Sequence, residues 1–159
     1  MDTCRADHLS CYGFPTQTTP HIDALAADGI RFENAISPVP QTLPSHISMM
    51  TGIVPPYHGI HDNHDYSLDP SLLMMAEILQ DSGFATGAVT GSFVLDARTG
   101  LGQGFETYND DFEEAHKAIS IIERKAQETS RFAAEWLEEH QQDKFFLFLH
   151  YFDPHAPYK

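Results

Sequence analysis

Phe145-Phe146-Leu147-Phe148-Leu149-His150-Tyr151 is the stretch on which the fold turns. A short, near-continuous apolar run of this kind predicts a strand buried on both faces of a sheet that helices cover. Upstream, Phe84 to Thr90 reads as a second strand, and Ile30 to Ile36 alternates apolar with polar residues and reads as a third. Helical patterns lie between them. Thr19-Pro20, followed by Ile22, Leu25 and Ala26 and closed by Gly29, reads as a short helix with Thr19 as N-cap and Pro20 at its first position. Asp69-Pro70 repeats the device, with Leu72, Leu73, Ala76 and Leu79 as the apolar face and Gly83 as the stop. Glycines recur from Gly91 to Asn109 with Leu95, Leu101 and Phe105 among them, which suggests an ordered loop. The clearest helix is expected from about Phe112 to Gln142. Its Ala118, Ile121, Ile122, Ala126, Phe132, Ala133, Trp136 and Leu137 share one stripe, and its glutamates form a solvated face. Strands and helices in alternation predict an α/β layered fold. With no internal repeat or low-complexity stretch, residues 1–159 read as one domain.

Composition narrows the function. The chain has 159 residues, 42% hydrophobic and 11% aromatic, an ordinary globular balance. Nine Lys plus Arg against 23 Asp plus Glu give a formal charge of −14. Such a surface repels polyanions and argues against nucleic acid as a partner. An anionic substrate then needs a local cationic device such as a metal. Cys4 and Cys11 are too few for a disulfide framework and lack zinc-site spacing, so both are expected as free thiols. No apolar run reaches the ~18 residues of a membrane span, no signal-peptide pattern opens the chain, and its compartment stays open.

In α/β sheets the chemistry gathers just beyond the carboxyl ends of the strands. Asp153-Pro154-His155-Ala156-Pro157-Tyr158 follows the last strand, and Asp2 stands where a preceding strand would end. The most informative segment is Thr42-Leu43-Pro44-Ser45-His46-Ile47-Ser48-Met49-Met50-Thr51-Gly52. Its order puts Thr42 at the start of a helix, where backbone N–H groups and the dipole favour an anion. The same position equally suits a threonine or serine that only caps the helix. His58, His61 and His64 recur every three residues, but in a loop of Pro55, Pro56, Gly59 and Asn63 they need not face one way. A metal role for them is not expected.

The Thr42 segment resembles the sulfatase signature: Cys or Ser, any residue, Pro, Ser, Arg, four residues, Thr-Gly. Pro44, Ser45, Thr51 and Gly52 match it, with Thr42 in the nucleophile position and His46 in place of the Arg that helps bind and activate the nucleophile. Threonine is not a substrate for conversion to formylglycine, and it serves unmodified in phosphodiesterase and phosphotransferase branches of the alkaline phosphatase superfamily, which tilts the reading toward phosphate. Asp2-Thr3-Cys4-Arg5-Ala6-Asp7-His8-Leu9-Ser10-Cys11-Tyr12-Gly13 is similar to the family's opening motif, whose first Asp is a metal ligand. Thr3 stands where many sulfatases have a second Asp, and with one carboxylate fewer, manganese or zinc competes with calcium. Thr19-Pro20-His21-Ile22-Asp23-Ala24-Leu25-Ala26 and Gly100-Leu101-Gly102-Gln103-Gly104-Phe105 resemble scaffold segments. The family's Pro-His-x-Pro element matches at His155, whose imidazole can protonate a departing oxygen. Gly91-Ser92-Phe93-Val94-Leu95 departs from the family's Gly-Lys-x-His, so substrate binding must differ.

The resemblance implies an alkaline phosphatase/sulfatase-like α/β fold with a largely parallel central sheet. It implies a metal-dependent hydrolase of small-molecule, glycan or lipid sulfate or phosphate esters. Thr42, His155 and His46 would be catalytic, and Asp2 and Thr42 would hold a divalent Ca, Mn or Zn. A phosphoalcohol transferase and a non-catalytic binding member are the alternatives. The family's first strand should precede Met1 and its later ligands follow Lys159. The chain is therefore expected to be the N-terminal part of one catalytic domain, inactive alone.

Overall fold

The computed structural model describes residues 1–64, 66–112 and 123–156. At its centre is a three-stranded sheet in the order β2-β1-β3, from β1 (Ala85–Val89), β2 (Thr107–Asn109) and β3 (Phe145–Leu149). Both pairings are parallel, with Gly87 opposite Thr107 on one side and Leu147 on the other. The α/β prediction with a parallel sheet therefore holds.

The helices are α1 (Pro20–Asp28), α2 (Thr42–Thr51), α3 (Pro55–His58), α4 (Met75–Asp81) and α5 (Ala126–Glu139). Gly52 ends α2 at φ +72°, and its N–H returns to the Ser48 carbonyl. The core joins α2 to the loops beyond it: Leu43, Ile47 and Met50 pack with Ile60, Leu68, Met74, Leu95 and Leu101. The α2 helix is thus anchored by its apolar face, which leaves its first turn to meet the carboxyl end of the sheet.

Several expectations need correction. Residues 30–36 form no strand, and Ile30, Phe32 and Ile36 are 84%, 70% and 89% exposed. A strand needs a ladder partner, and none of the described strands lies beside this segment. Asp69 closes only a turn, accepting from Ser71 N–H at 2.9 Å, while the helix starts at Met75, where the Glu77 carboxylate accepts from Met74 N–H at 2.8 Å. Thr19 does precede α1, but its hydroxyl bonds Asp23 at 3.1 Å rather than a helix N–H. The expected loop after Gly91 contains β2.

Among the described residues, the expected long helix is α5 alone. Glu123 forms an isolated antiparallel bridge with Ser92, and Arg124 N–H donates to Gly91 O at 2.9 Å, so the chain is extended there. The rest of that expectation, with Ala118, Ile121 and Ile122, lies outside the described residues. β3 is only half-buried, with Phe145 43% exposed. Trp136 of α5 meets Phe145 with ring centroids 5.8 Å apart, and His46 of α2 meets Phe148 at 5.7 Å, but neither cover is complete.

Candidate active site at the carboxyl end of the sheet

Asp2 reaches the site through its backbone. Its N–H donates to Tyr151 O at 2.8 Å, just past the end of β3, and the carboxylate is 8% exposed. Thr3 then adopts φ +50°, a left-handed conformation that a β-branched residue rarely takes. Its hydroxyl donates to Pro154 O at 3.1 Å, which pins the turn to the loop carrying His155.

Thr42 is the first residue of α2, with Gln41 rather than Thr42 in the N-cap position. Its Oγ1 lies 3.3 Å from Asp2 Oδ2 and 3.5 Å from Oδ1. The capping reading of Thr42 therefore gives way to one in which the hydroxyl faces a carboxylate 40 residues away in sequence. The neighbouring orphan N–H, that of Leu43, is capped by Asn63 Oδ1 at 2.9 Å. Asn63 carried no signal in the sequence, because its use depends on a loop folding back onto α2.

His46 lies one turn along α2, and its Nδ1 donates to Thr42 O at 2.7 Å. Burial is the main force lowering its pKa, to about 4, against the opposing bond to that carbonyl. It is consequently neutral at pH 7 and does not supply the charge of the arginine it replaces. Its ring sits edge-on to His150, with centroids 5.0 Å apart.

His150 is the residue the sequence reading missed. It is 1% exposed, its Nε2 is 3.6 Å from Asp2 Oδ2, and both ring nitrogens are buried without a hydrogen-bond partner among the described residues. Its one signal was a polar side chain interrupting an apolar run. For Asp2, burial acts to raise the pKa, but the His150 ring, with His155 and His46 nearby, outweighs it and leaves the carboxyl below its ordinary value.

His155 sits on the loop after β3. Its ring stacks on Phe152 at 4.5 Å, and its Nδ1 donates to Ala156 O at 2.6 Å. The structure thus brings Asp2, Thr42 and His46 together, and the bond from the Thr3 hydroxyl to Pro154 O ties the Asp2 turn to the loop that carries His155. The histidine triplet is not part of this group. His58 Nδ1 accepts from Ile60 N–H at 3.2 Å and its Nε2 donates to Ser48 Oγ at 3.0 Å, so it fastens α3 to α2. Cys4 and Cys11 are free thiols.

The donors suit part of a metal shell. Asp2 and Thr42 offer convergent oxygens, and the orphaned His150 nitrogens are a further donor in reach. Among the described residues, no three His, Cys, Asp or Glu side chains are gathered closely enough to hold an ion. A complete shell needs more ligands than these.

Comparisons with known proteins bear on the family and the fold. The family model described as Sulfatase matches residues 1–159. The N-acetylgalactosamine-6-O-sulfatase of Bacteroides thetaiotaomicron is 39% identical over 85 residues, covering 51% of this chain and 17% of that protein. Human arylsulfatase A is 36% identical over 84 residues, covering 50% of this chain and 17% of that protein. The matched stretch thus spans about a sixth of these relatives' length. Among solved structures, one bound to its substrate D-glucosamine-2-N,6-O-disulfate superposes with a TM-score of 0.77 at 23% identity, over 95% of this chain and 32% of that one. The phosphonate monoester hydrolase of Agrobacterium radiobacter gives 0.75 at 19% identity, over 98% and 40%. The fold is therefore the alkaline phosphatase/sulfatase fold of these structures, and the chain belongs to the sulfatase family, whose members generally depend on divalent metals.

Proposed function

We propose that this chain carries the nucleophile-bearing part of the active site of a metal-dependent hydrolase of sulfate or phosphate esters, with Thr42 as nucleophile. The observation that carries the reading is the approach of the Thr42 hydroxyl to the buried Asp2 carboxylate at the first turn of α2. A threonine spent on capping would bond its own helix, and this one does not.

Asp2 accepts from the Thr42 hydroxyl, turns the attacking lone pair outward toward the substrate, and takes up the hydroxyl proton as the attack proceeds, holding it until Thr42 is released. A bond forms from Thr42 Oγ1 to phosphorus or sulfur while the bond to the leaving oxygen breaks on the opposite side. His155 protonates that oxygen: Nδ1 is tied to Ala156 O, so Nε2 is the donor. Water then attacks the Thr42 ester, or an acceptor alcohol does so in a transferase, with neutral His155 taking up the incoming proton and Thr42 regaining its own. His46, uncharged, holds the first turn of α2 by its bond to Thr42 O. A divalent Ca, Mn or Zn, held in part by Asp2 and Thr42, would lower the hydroxyl's pKa and neutralise the nonbridging oxygens.

The neighbour solved with a disulfated glucosamine, and another solved with a carrageenan-type neocarrahexaose, support a glycan ester as substrate. Threonine in the nucleophile position supports phosphate, because a simple alkoxide suffices there. Only part of the metal shell is gathered among the described residues, so the reading requires further ligands from outside them.

The test is hydrolysis of matched aryl sulfate, phosphate monoester and phosphodiester substrates by the full-length protein with added metal, beside its Thr42→Ala variant. Loss of turnover on the order of 10³-fold or more is expected in the variant. Turnover that survives Thr42→Ala sinks the nucleophile assignment. Absence of turnover with metal still bound moves the reading to a transferase or a non-catalytic binding member.

A further inference from the structure

A cavity adjoins the site without including Asp2 or Thr42. Its volume is about 260 Å³, and it is lined by Glu123, Arg124, Lys125, Gln127, Phe152, Asp153 and His155. His155 lies on the segment that joins the two places: Phe152, Asp153 and His155 line this cavity, and the same segment is tied to the Asp2 turn by the bonds from Asp2 N–H to Tyr151 O at 2.8 Å and from the Thr3 hydroxyl to Pro154 O at 3.1 Å. The cavity thus lies on the side of the reaction centre where the proposed acid meets the leaving oxygen.

Charge makes the cavity distinctive. The chain carries −14 and few cations, and most of those described are already committed. Arg5 pairs with Asp7, Arg31 with Glu33, Arg98 with Asp96 and Arg131 with Glu135. Arg124 is 3% exposed, and its guanidinium bonds Thr90 O at 3.0 Å and Asn109 Oδ1 at 2.6 Å. Lys144 precedes β3 at the far end of the sheet. Lys125 is then the one exposed cation at the carboxyl end of the sheet, among the described residues, with no ion pair or hydrogen bond to its head group. It is held there by the bridge between Ser92 and Glu123 and by the bond from Arg124 N–H to Gly91 O.

The other lining groups define what accompanies the anion. Asp153 Oδ1 already accepts from Ala126 N–H at 3.1 Å, so the start of α5 is taken by a carboxylate and is not itself an anion site. Glu123 and Gln127 suit hydroxyl groups. Phe152 and His155, stacked with an interplanar angle of 15°, form an aromatic wall against which a ring can lie.

We infer that this cavity is a leaving-group subsite for a polyhydroxylated ring carrying one anionic substituent, with the Lys125 ammonium as the group that reads the anion. The inference rests on the ester-hydrolase reading above, since it needs a second anion on the substrate besides the ester attacked at Thr42. The carboxylates Glu123 and Asp153 limit the subsite to a single anion, placed at Lys125.

Calorimetric titration of the full-length Thr42→Ala protein with a disulfated and a monosulfated monosaccharide tests this without turnover. The disulfated sugar is expected to bind about fivefold tighter, the scale of a solvent-flanked ion pair. Adding Lys125→Ala should remove that preference while leaving the monosulfated sugar unaffected, and Lys125→Arg should retain it. Equal weakening of both sugars by Lys125→Ala would place the lysine on the attacked group and overturn the subsite. An unchanged preference, or no binding of either sugar, overturns it as well. Turnover of plain aryl esters, whose leaving groups carry no second anion, decides the hydrolase reading separately.

Discussion

Asn63 shows how much a single polar side chain can carry when it meets a helix end. Its Oδ1 is the partner of the Leu43 N–H, next to the proposed nucleophile. Asn63→Ala leaves that donor without an acceptor in a half-buried place, and a loss of about 1–2 kcal/mol in unfolding free energy is expected by denaturant titration. Misplacement of Thr42 should lower kcat as well. His58 makes a prediction in pH. Burial, helped by the neighbouring His61, holds its pKa below the ordinary value near 6.5. The unfolded chain therefore binds a proton more readily than the folded one, and stability is complete above about pH 6.5 and declines as pH falls below it. Thermal unfolding across that range should show the decline, and His58→Gln, which keeps a donor toward Ser48, should flatten it. At this scale the sequence was informative where residue type and spacing carry the chemistry, as for Asp2, Thr42 and His155. It was silent on Asn63 and nearly so on His150, because their roles depend on which neighbours the fold brings to them.

Between elements, α5 lies close against the sheet. A Cβ built on Gly87 of β1 would lie 2.5 Å from Trp136 Cε2 and 2.7 Å from Cζ2, so only glycine lets the indole rest on the strand. Gly87→Ala should force Trp136 off its rotamer and cost about 1–3 kcal/mol, read by denaturant unfolding and by a shift in tryptophan fluorescence. Here too the legibility of the sequence was uneven. The amphipathic stripe of α5 and the apolar run of β3 were readable, since period and composition are local properties. The break before Ala126 was not, because Glu123 leaves the helical pattern to bridge Ser92, a residue far away in sequence. The start of α4 was misplaced for a related reason: a side-chain bond from Glu77 to Met74 N–H competes with the Asp69-Pro70 signal and wins.

For the molecule as a whole, the N-terminal segment is the least covered. Leu25, Ile30, Phe32 and Ile36 are 74%, 84%, 70% and 89% exposed, and Tyr57 of α3 is 80% exposed. Apolar surface of this extent is an association liability in water. The 159-residue chain on its own should self-associate with rising concentration in sedimentation velocity, and Phe32→Lys with Ile36→Lys should restore a single slow species. The amino-acid sequence by itself determined the α/β class, the family, the segments that carry Asp2, Thr42 and His155, and the strongly acidic net charge. These follow from short-range period, residue chemistry and net charge. Only the tertiary structure decided that Thr42 faces a carboxylate instead of capping its helix, that His46 is buried and neutral, that His150 stands beside Asp2, and that Lys125 is, among the described residues, the uncommitted cation near the site. Each of those depends on distance and burial between residues remote in the chain, and the field and solvation at a side chain are set by neighbours that no local pattern names.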